Sequence, residues 1–171
     1  MRTDASTPSL KQQLGGKFLT FFLDEEEYGI EILKVHEIIG MMSITVVPRT
    51  PPFIRGVINL RGKVIPIIGL RLKFGMEAIE QTEETCIIVV QAQSVELGIV
   101  VDRVSEVLDI ASDDIDEPPS FGADVPTDYL LGIAKTEGRV KLLLNIDRVL
   151  TTNEVVALPI LAAASQEVAA E

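Results

Sequence analysis

Short apolar runs separated by charged or glycine-containing turns make up the middle of the sequence. Residues 18–23 and 86–90 are aromatic or β-branched and are bounded by charged clusters, which is typical of β-strands. Residues 57–67 resemble two strands around a tight turn, in which Asn59 and Gly62 tolerate the positive φ of hairpin turns. The pattern therefore predicts a chain built mainly from short strands.

The two ends of the chain lack this pattern. Residues 1–16 are rich in Ser, Thr, Gln and Gly and are expected to form a mobile tail. Residues 151–171 are rich in Ala and are expected to form a loose tail, interrupted by Pro159. The first 16 residues carry no apolar stretch of signal-peptide length, and the densest apolar run, residues 87–90, is too short to span a bilayer. We therefore expect a cytoplasmic protein without direct membrane insertion.

The strand pattern occurs twice. Residues 28–39 (YGIEILKVHEII) align without gaps on residues 97–108 (LGIVVDRVSEVL), and residues 55–70 align on residues 131–146. An insertion in the second copy falls in the Pro- and Asp-rich residues 113–128. The chain is therefore predicted to be a tandem duplication of a unit of about 70 residues.

Each unit holds four or five short strands and a few helical residues, at 69–74 in the first copy and 145–150 in the second. Units this small bury little of their surface, and closing the strands into a barrel removes exposed sheet edges. We predict an all-β protein of two small five-stranded barrels with short helical segments. The first barrel is expected to span residues 17–82 and the second residues 83–150.

Composition excludes several classes of function. There are 26 acidic and 15 basic residues, and the net charge of −11 disfavours binding to nucleic acid or to anionic membranes. The single Cys excludes an internal disulfide framework, and the single His excludes most His-based metal sites. The core must be aliphatic, because the chain has no Trp, two Tyr and six Phe.

The charges are unevenly distributed along the chain. Residues 38–76 contain six bases and no acid, whereas residues 77–128 contain 14 acids and one base. Alternating strands could scatter these charges over several faces. Alternatively, the protein presents two oppositely charged faces to different partners, since such complementarity sets orientation and association rate.

No motif points to catalysis, and no cofactor is expected. The run from Gly56 to Lys63 lacks the spacing and the Ser or Thr of a phosphate-binding P-loop. A catalytic histidine needs a nucleophile and an orienting acid nearby. Glu37 is adjacent to His36, but Ser105 replaces His36 in the second copy, so we interpret it as a surface histidine. Acids at residues 113–117 are followed by two prolines, which does not fit a calcium-binding loop. We therefore predict neither catalytic nor metal-binding residues.

The turn at residues 59–62 differs most between the copies. Its sequence Asn-Leu-Arg-Gly becomes Lys-Thr-Glu-Gly at residues 135–138, so that Arg61 is replaced by an acid while Gly62 is kept. This difference is either ordinary drift of a loop or specialisation of one tip for binding a protein, for which an exposed Leu–Arg pair is suited.

The run from residue 18 to residue 150 resembles the CheW family of bacterial chemotaxis coupling proteins. The matching segments are EEEYGIEILKVHEII, PRTPPFIRGVINLRGKVIPI, CIIVV, GIVVDRVSEVL and YLLGIA followed by LLLNIDRVL. The resemblance implies a non-enzymatic adaptor of two SH3-like five-stranded barrels around a common core. The sequence departs from the family at Gly69, where family members commonly have an Asp in an I-D-L-R run.

The resemblance also implies partners and contact residues. Such proteins couple the cytoplasmic hairpin tips of chemoreceptors to the regulatory domain of the histidine kinase CheA, with which they form rings in receptor arrays. The residues that match the receptor-binding positions are Val35, Glu37, Ile38, Gly56, Arg61, Thr85 and Cys86. The residues expected to contact the kinase, on the second barrel, are Gly98, Val104 and Val107. Alone, the protein is expected to be a monomer.

Two alternatives to this function remain open at this point. One is an adaptor of the same kind in a different chemosensory system, such as one that controls surface motility. The other is a small enzyme with an acidic site on a barrel rim, which the missing set of nucleophile, base and metal ligands disfavours.

Overall fold

The chain folds into β-strands with short helices at their ends. A computed structural model describes residues 15–120 and 127–150 together with Glu154. Its strands are β1 (Gly16–Leu23), β2 (Glu26–Glu31), β3 (Val35–Gly40), β4 (Ile54–Leu60), β5 (Lys63–Gly69), β6 (Cys86–Ala92), β7 (Val95–Val101), β8 (Arg103–Ile110), β9 (Ile115–Asp116), β10 (Leu130–Thr136) and β11 (Arg139–Leu144). Within residues 15–120 and 127–150, the helices are α1 (Leu70–Lys73) and α2 (Ile146–Val149), with 3-10 turns at Ile32–Lys34 and Ser112–Asp114. The all-β prediction with short helical segments is confirmed.

Parts of three predicted segments lie outside the described residues. These are most of the two expected tails, residues 1–16 and 151–171, and residues 121–126 of the expected insertion.

The strands form two sheets that exchange hairpins between the halves of the chain. One sheet, called sheet A, has the order β8-β1-β2-β11-β10-β9, and sheet B has the order β3-β6-β7-β5-β4. The β1–β2 hairpin therefore joins strands of the second half, and the β6–β7 hairpin joins strands of the first. The expected boundary between residues 82 and 83 does not separate the sheets, because β2 pairs in parallel with β11 and β7 with β5.

The same strand register occurs in both sheets. Gly29 of β2 lies opposite Leu143 of β11, and Gly98 of β7 lies opposite Ile67 of β5. These two pairs are equivalent in the alignment of the repeated segments. The predicted duplication is therefore confirmed by the pairing of the strands.

Close packing explains why both copies have a glycine at this place. A Cβ added to Gly98 would lie 2.7 Å from Ile67 Cδ1 and from Ile87 Cγ2, and one added to Gly29 would lie 2.9 Å from Leu143 Cδ2. Since real Cβ atoms do not approach other atoms this closely, the parallel neighbour strand can cover only a glycine.

In each sheet, a second contact links the chain at one edge strand to the strand at the opposite edge. Thr45, which follows β3, exchanges two backbone hydrogen bonds with Val57 of β4, at 2.8 and 2.9 Å. In sheet A, β9 follows β8 and pairs with β10 at the opposite end of the sheet. A Cβ on Gly56 would lie 2.1 Å from the Thr45 carbonyl oxygen, so the contact requires glycine. Each sheet thus curls into a barrel.

Buried apolar side chains form three cores. The largest lies between the sheets and combines, among others, Leu19, Phe21 and Ile30 of sheet A with Ile88 and Ile99 of sheet B. One small core lies inside sheet A (Phe18, Ile110, Ile115, Ala134 and Leu143), and another inside sheet B (Ile58, Ile65, Ile67, Ile87 and Val89). Successive strand residues point to opposite faces, so β1 places Phe18 in one core and Leu19 in the other. Two barrels around a common core result.

Helix α1 of sheet B is fastened to two turns by Arg71. The guanidinium of Arg71 donates to both carboxylate oxygens of Asp102, from Nε at 2.8 Å and from Nη2 at 2.7 Å, and also donates to Asp24. Asp24 lies in the β1–β2 turn of sheet A, and Asp102 lies where the chain crosses from β7 to β8. We call this cluster the Arg71 lock, and it ties the two sheets together.

Helix α2 of sheet A is fastened to sheet B in the equivalent way, with the charges reversed. The Asp147 carboxylate accepts hydrogen bonds from Lys34 Nζ at 2.8 Å and from the backbone N–H of Gln93 at 2.9 Å. Gln93 lies in the β6–β7 turn, and Lys34 lies between β2 and β3. The duplication has therefore kept the position of the lock and changed its chemistry.

Candidate functional site

The β4–β5 turn projects Arg61 into solvent. Arg61 and Gly62 both have positive φ, 54° and 85°, and the side chain of Asn59 accepts a hydrogen bond from the Gly62 N–H at 2.8 Å. The equivalent turn has the same backbone at Glu137 and Gly138, with φ of 53° and 74°. The side chain of Arg61 is 69% exposed. The turn geometry therefore depends on both of its central residues and accepts either charge at the first of them.

Arg61 is paired with a second residue that was predicted to contact the receptor. Its guanidinium donates to the carboxylate of Glu37, which lies on β3 at the opposite end of the strand order of sheet B. Curling of the sheet brings the two residues together. Ile38, next to Glu37, is 46% exposed, and Val35 is half-buried against the common core.

A neighbouring charged cluster was not found from the sequence. Glu96 accepts from Lys63 Nζ at 2.6 Å, and its other carboxylate oxygen lies 2.8 Å from His36 Nδ1. His36 Nε2 lies 3.1 Å from Gln91 Oε1. Hydrogen bonds from Lys63 and then from His36 hold the pKa of the Glu96 carboxyl below its usual range. His36 is a surface residue, as predicted, but its ring is held by strands β6 and β7, a contact that no local pattern indicates.

The other predicted receptor-binding residues lie at different depths. Gly56 is buried beneath Thr45, so it can affect a binding surface only through the packing of its neighbours. Thr85 is half-buried, and its hydroxyl accepts a hydrogen bond from the Thr82 N–H at 2.9 Å. Cys86 is half-buried at the start of β6; burial raises the pKa of its thiol, while a hydrogen bond from the Val104 backbone acts in the opposite direction. Cys86 of sheet B therefore touches Val104 of sheet A.

The three residues expected to contact the kinase also differ in exposure. Val107 is 51% exposed on β8, and Val104 is half-buried against the common core. Gly98 is buried beneath Ile67 and Ile87, so its position is explained by packing and it offers no surface to a partner.

Most bases of the acid-free segment 38–76 are already paired. Arg61 pairs with Glu37, Lys63 with Glu96, Arg71 with Asp24 and Asp102, and Lys73 with Glu154. Among the described residues, only Arg49 and Arg55 of the six have no ion pair. Ion pairs therefore offset the charge of most of these bases.

The described residues form no P-loop, no cluster of metal-ligating side chains and no helix able to cross a bilayer. Residues 56–63 form a strand, a turn and a strand instead of a loop that opens a helix, so they are not a P-loop. Within residues 15–120 and 127–150, no group of three or more His, Cys, Asp or Glu side chains is placed to hold a metal ion. None of the helices seen there has the length and apolar character that crossing a bilayer requires.

Comparison with known proteins identifies the family. The family model described as "CheW-like domain" matches residues 17–154. The chain belongs to the CheW family. It is 42% identical over 143 residues to the chemotaxis protein CheW of Klebsiella aerogenes, covering 84% of this chain and 86% of that one. A crystal structure of the scaffolding protein TtCheW from Thermoanaerobacter tengcongensis matches with a TM-score of 0.75 and 37% identity, over 81% of this chain and 94% of that one.

One of the similar proteins bears a different name. Protein FrzA of Myxococcus xanthus is 30% identical over 138 residues, covering 80% of this chain and 86% of that one. Family membership thus establishes a chemotaxis protein of the CheW type, while CheW-like chains also occur under other names.

Proposed function

We propose that this chain is a non-enzymatic adaptor that couples transmembrane chemoreceptors to the histidine kinase CheA. The observation that carries the proposal is the exposed Arg61 at the β4–β5 turn, where it is paired with Glu37. In this reading the receptor's cytoplasmic hairpin tip docks along β3 and the β4–β5 turn. The chain would then lie in the cytoplasm, at the inner face of the membrane, through its receptors.

Receptor binding is proposed to exchange one ion pair for another. Exposed ion pairs contribute at most about 1 kcal/mol, so Arg61 can leave Glu37 for a receptor carboxylate at little cost. The contact then gains affinity by excluding water from Ile38, which lies beside the pair and is half exposed. Gly56, Thr85 and Cys86 are proposed to lie near the same docked segment.

The kinase is proposed to bind the exposed side of β8. Val107 supplies an exposed apolar contact there, and Val104 connects it to the common core. Because the receptor and kinase surfaces lie on different sheets, one molecule can hold both partners. Repetition of such contacts through like-folded domains would close into rings, and the free protein would remain a monomer.

A second candidate is the same adaptor role in a different chemosensory system. The similarity to FrzA favours considering it, because that protein does not bear the CheW name. Binding of this chain to the receptors and kinase encoded beside its gene would decide between the two systems.

Co-sedimentation with receptor-bearing membranes tests the proposal. We expect the wild-type chain to sediment with membranes that contain receptors and not with membranes that lack them. Arg61→Glu is expected to remain folded, because Glu137 adopts the same backbone in the second copy. It is expected to lose this binding. Arg49→Glu is the matched control, since Arg49 is exposed, has a φ of 63° and makes no ion pair within the described residues. Binding of Arg61→Glu at the wild-type level would contradict the proposal.

A further inference from the structure

The internal duplication gives the protein two equivalent edge surfaces. The alignment places Val104, Glu106 and Val107 of β8 where Val35, Glu37 and Ile38 stand on β3. Both strands end the order of their sheet, and in both the register shifts just after the first valine. The surface formed by β8 and the β10–β11 turn, called the β8 surface, is therefore built like the one formed by β3 and the β4–β5 turn.

The two surfaces expose similar amounts of apolar side chain. Ile38 is 46% exposed and its equivalent Val107 is 51% exposed. Val35 and Val104 are both half-buried and pack against the common core. Apolar contact alone therefore would not tell a partner which surface to choose.

Charge distinguishes the surfaces. Glu37 has Arg61 as its partner, but the residue equivalent to Arg61 is Glu137. Within the described part of the chain, Glu106 and Glu137 are exposed and make no ion pair. The β8 surface thus carries a carboxylate at the place of Glu37 and a second acid where the first surface has its arginine.

The bases near the β8 surface do not remove this difference. Lys135 at the start of the turn is occupied by Asp116 at 2.8 Å, and Lys17 lies 3.3 Å from Asp109 at the far end of β8. Arg103 at the start of β8 and Arg139 after the turn make no ion pair with a described residue, and both line a depression that also contains the exposed acids Glu25 and Glu26. Glu25, Glu26, Glu106 and Glu137 together outnumber these two bases and leave the region with an excess of negative charge.

We infer that the β8 surface binds a protein segment that carries an arginine or lysine beside aliphatic side chains. This inference rests on the proposed function, which puts the kinase on this surface, and it specifies the chemistry of the kinase segment. The partner's base would pair with Glu106 as Arg61 pairs with Glu37 within the chain. Its aliphatic neighbours would cover Val107.

The inverted charge would also keep the two partners apart. A receptor segment with a carboxylate for Arg61 would meet Glu106 and Glu137 on the β8 surface and be repelled. A basic kinase segment would meet Arg61 on the other surface. Repulsion of this kind lets two surfaces of the same shape reject each other's partners.

Binding to the isolated regulatory domain of the cognate CheA tests the inference. Glu106→Lys and Glu137→Lys should each weaken the affinity about tenfold, chiefly through a slower association that becomes less sensitive to salt. Glu106→Lys should fold normally, because the Thr20 hydroxyl contacts only the backbone of Glu106, at 3.0 and 3.2 Å. The matched control is Glu83→Lys, which changes an exposed acid in the segment between α1 and β6 and should leave the affinity unchanged.

Val107→Asp separates this inference from the proposed function. If Glu106→Lys and Glu137→Lys bind normally while a folded Val107→Asp does not, the kinase uses this surface without a basic segment, and the inference is overturned alone. If all three folded variants bind normally, the kinase does not use the β8 surface and its proposed placement is overturned as well. Loss of binding in all three, with Glu83→Lys unaffected, supports both.

Discussion

At the scale of single residues, the duplication provides internal controls for the role of each side chain. Arg61 and Glu137 have the same left-handed backbone at equivalent turns, yet they carry opposite charges. The turn therefore does not select an arginine. Left-handed backbone favours Gly and Asn and gives Arg no steric advantage over other residues. What selects Arg61 is what it contacts, and within the chain that is Glu37.

Gly69 and Asn145 form a second internal control, at the start of the two helices. The Asn145 side chain accepts a hydrogen bond from the Asp147 N–H at 3.1 Å, whereas Gly69 offers no side chain to cap α1. Gly69 has a φ of −84°, which every residue tolerates. A Cβ there would lie 3.1 Å from Arg55 Cδ, a flexible side chain that can move by a few tenths of an ångström.

Gly69→Asn is therefore expected to stabilise the protein by about 0.5 kcal/mol, through the cap and through the lower entropy of the unfolded chain. Asn145→Gly should lose a similar amount. Denaturant unfolding of both variants measures the effect. A Gly69→Asn variant less stable than the wild type would show that the Arg55 side chain cannot move away from the added Cβ.

At the scale of elements, the parallel pairings β2–β11 and β7–β5 set the strictest packing requirement. Gly98 is covered by Ile67 and Ile87 at distances that exclude a Cβ. We predict that Gly98→Ala lowers the free energy of unfolding by about 1–3 kcal/mol, because the neighbouring side chains are forced from their positions.

The double variant Gly98→Ala, Ile67→Val should recover part of this loss, since Ile67→Val removes the Cδ1 atom that lies 2.7 Å away. Thermal or denaturant unfolding of the single and double variants gives the coupling energy. Strictly additive losses would mean that the strain is taken up elsewhere than at Ile67.

The Arg71 lock predicts how stability depends on pH. Burial would raise the pKa of Asp102, but the hydrogen bonds from Arg71 and from the Asp24 N–H outweigh it and hold that pKa below its usual range. A carboxyl group whose folded pKa is lowered stabilises the protein fully above its unfolded pKa, about 3.9, and loses this contribution as the pH falls through the folded value.

Asp102→Asn should therefore be less stable than the wild type at pH 7, and the difference should shrink as the pH falls below about 4. Urea unfolding of both proteins between pH 7 and pH 2.5 measures it. A difference that stays constant with pH would show that the carboxylate's charge contributes nothing to the lock.

At the scale of the whole molecule, the exchanged hairpins make the halves interdependent. Sheet A needs strands from residues 16–31 and 103–144, and sheet B needs strands from residues 35–69 and 86–101. We predict that residues 1–82 and 83–171, expressed separately, do not unfold cooperatively, and that mixing them restores the fold. A cooperative transition in residues 1–82 alone would contradict this topology.

The sequence predicted what is local or repeated. The strands, the two short helices and the equivalence of Gly29 with Gly98 all follow from patterns within one segment or between two. The hairpin exchange could not be predicted this way, because two copies with the same strand pattern give no information on which strand of one copy pairs with which strand of the other. The contact between His36 and Glu96 was missed for a related reason, since it depends on the pairing of β3 with β6 and of β6 with β7, which brings together residues that are far apart in the chain.

The central claim is that one molecule carries both binding surfaces, and sedimentation of CheA with receptor-bearing membranes tests it most directly. The wild-type chain should carry CheA into the membrane pellet, whereas neither Arg61→Glu nor Val107→Asp should do so. An equal mixture of the two variants should also fail, because each molecule in it retains only one surface. Recovery of CheA in the pellet with that mixture, at the wild-type level, would contradict the account.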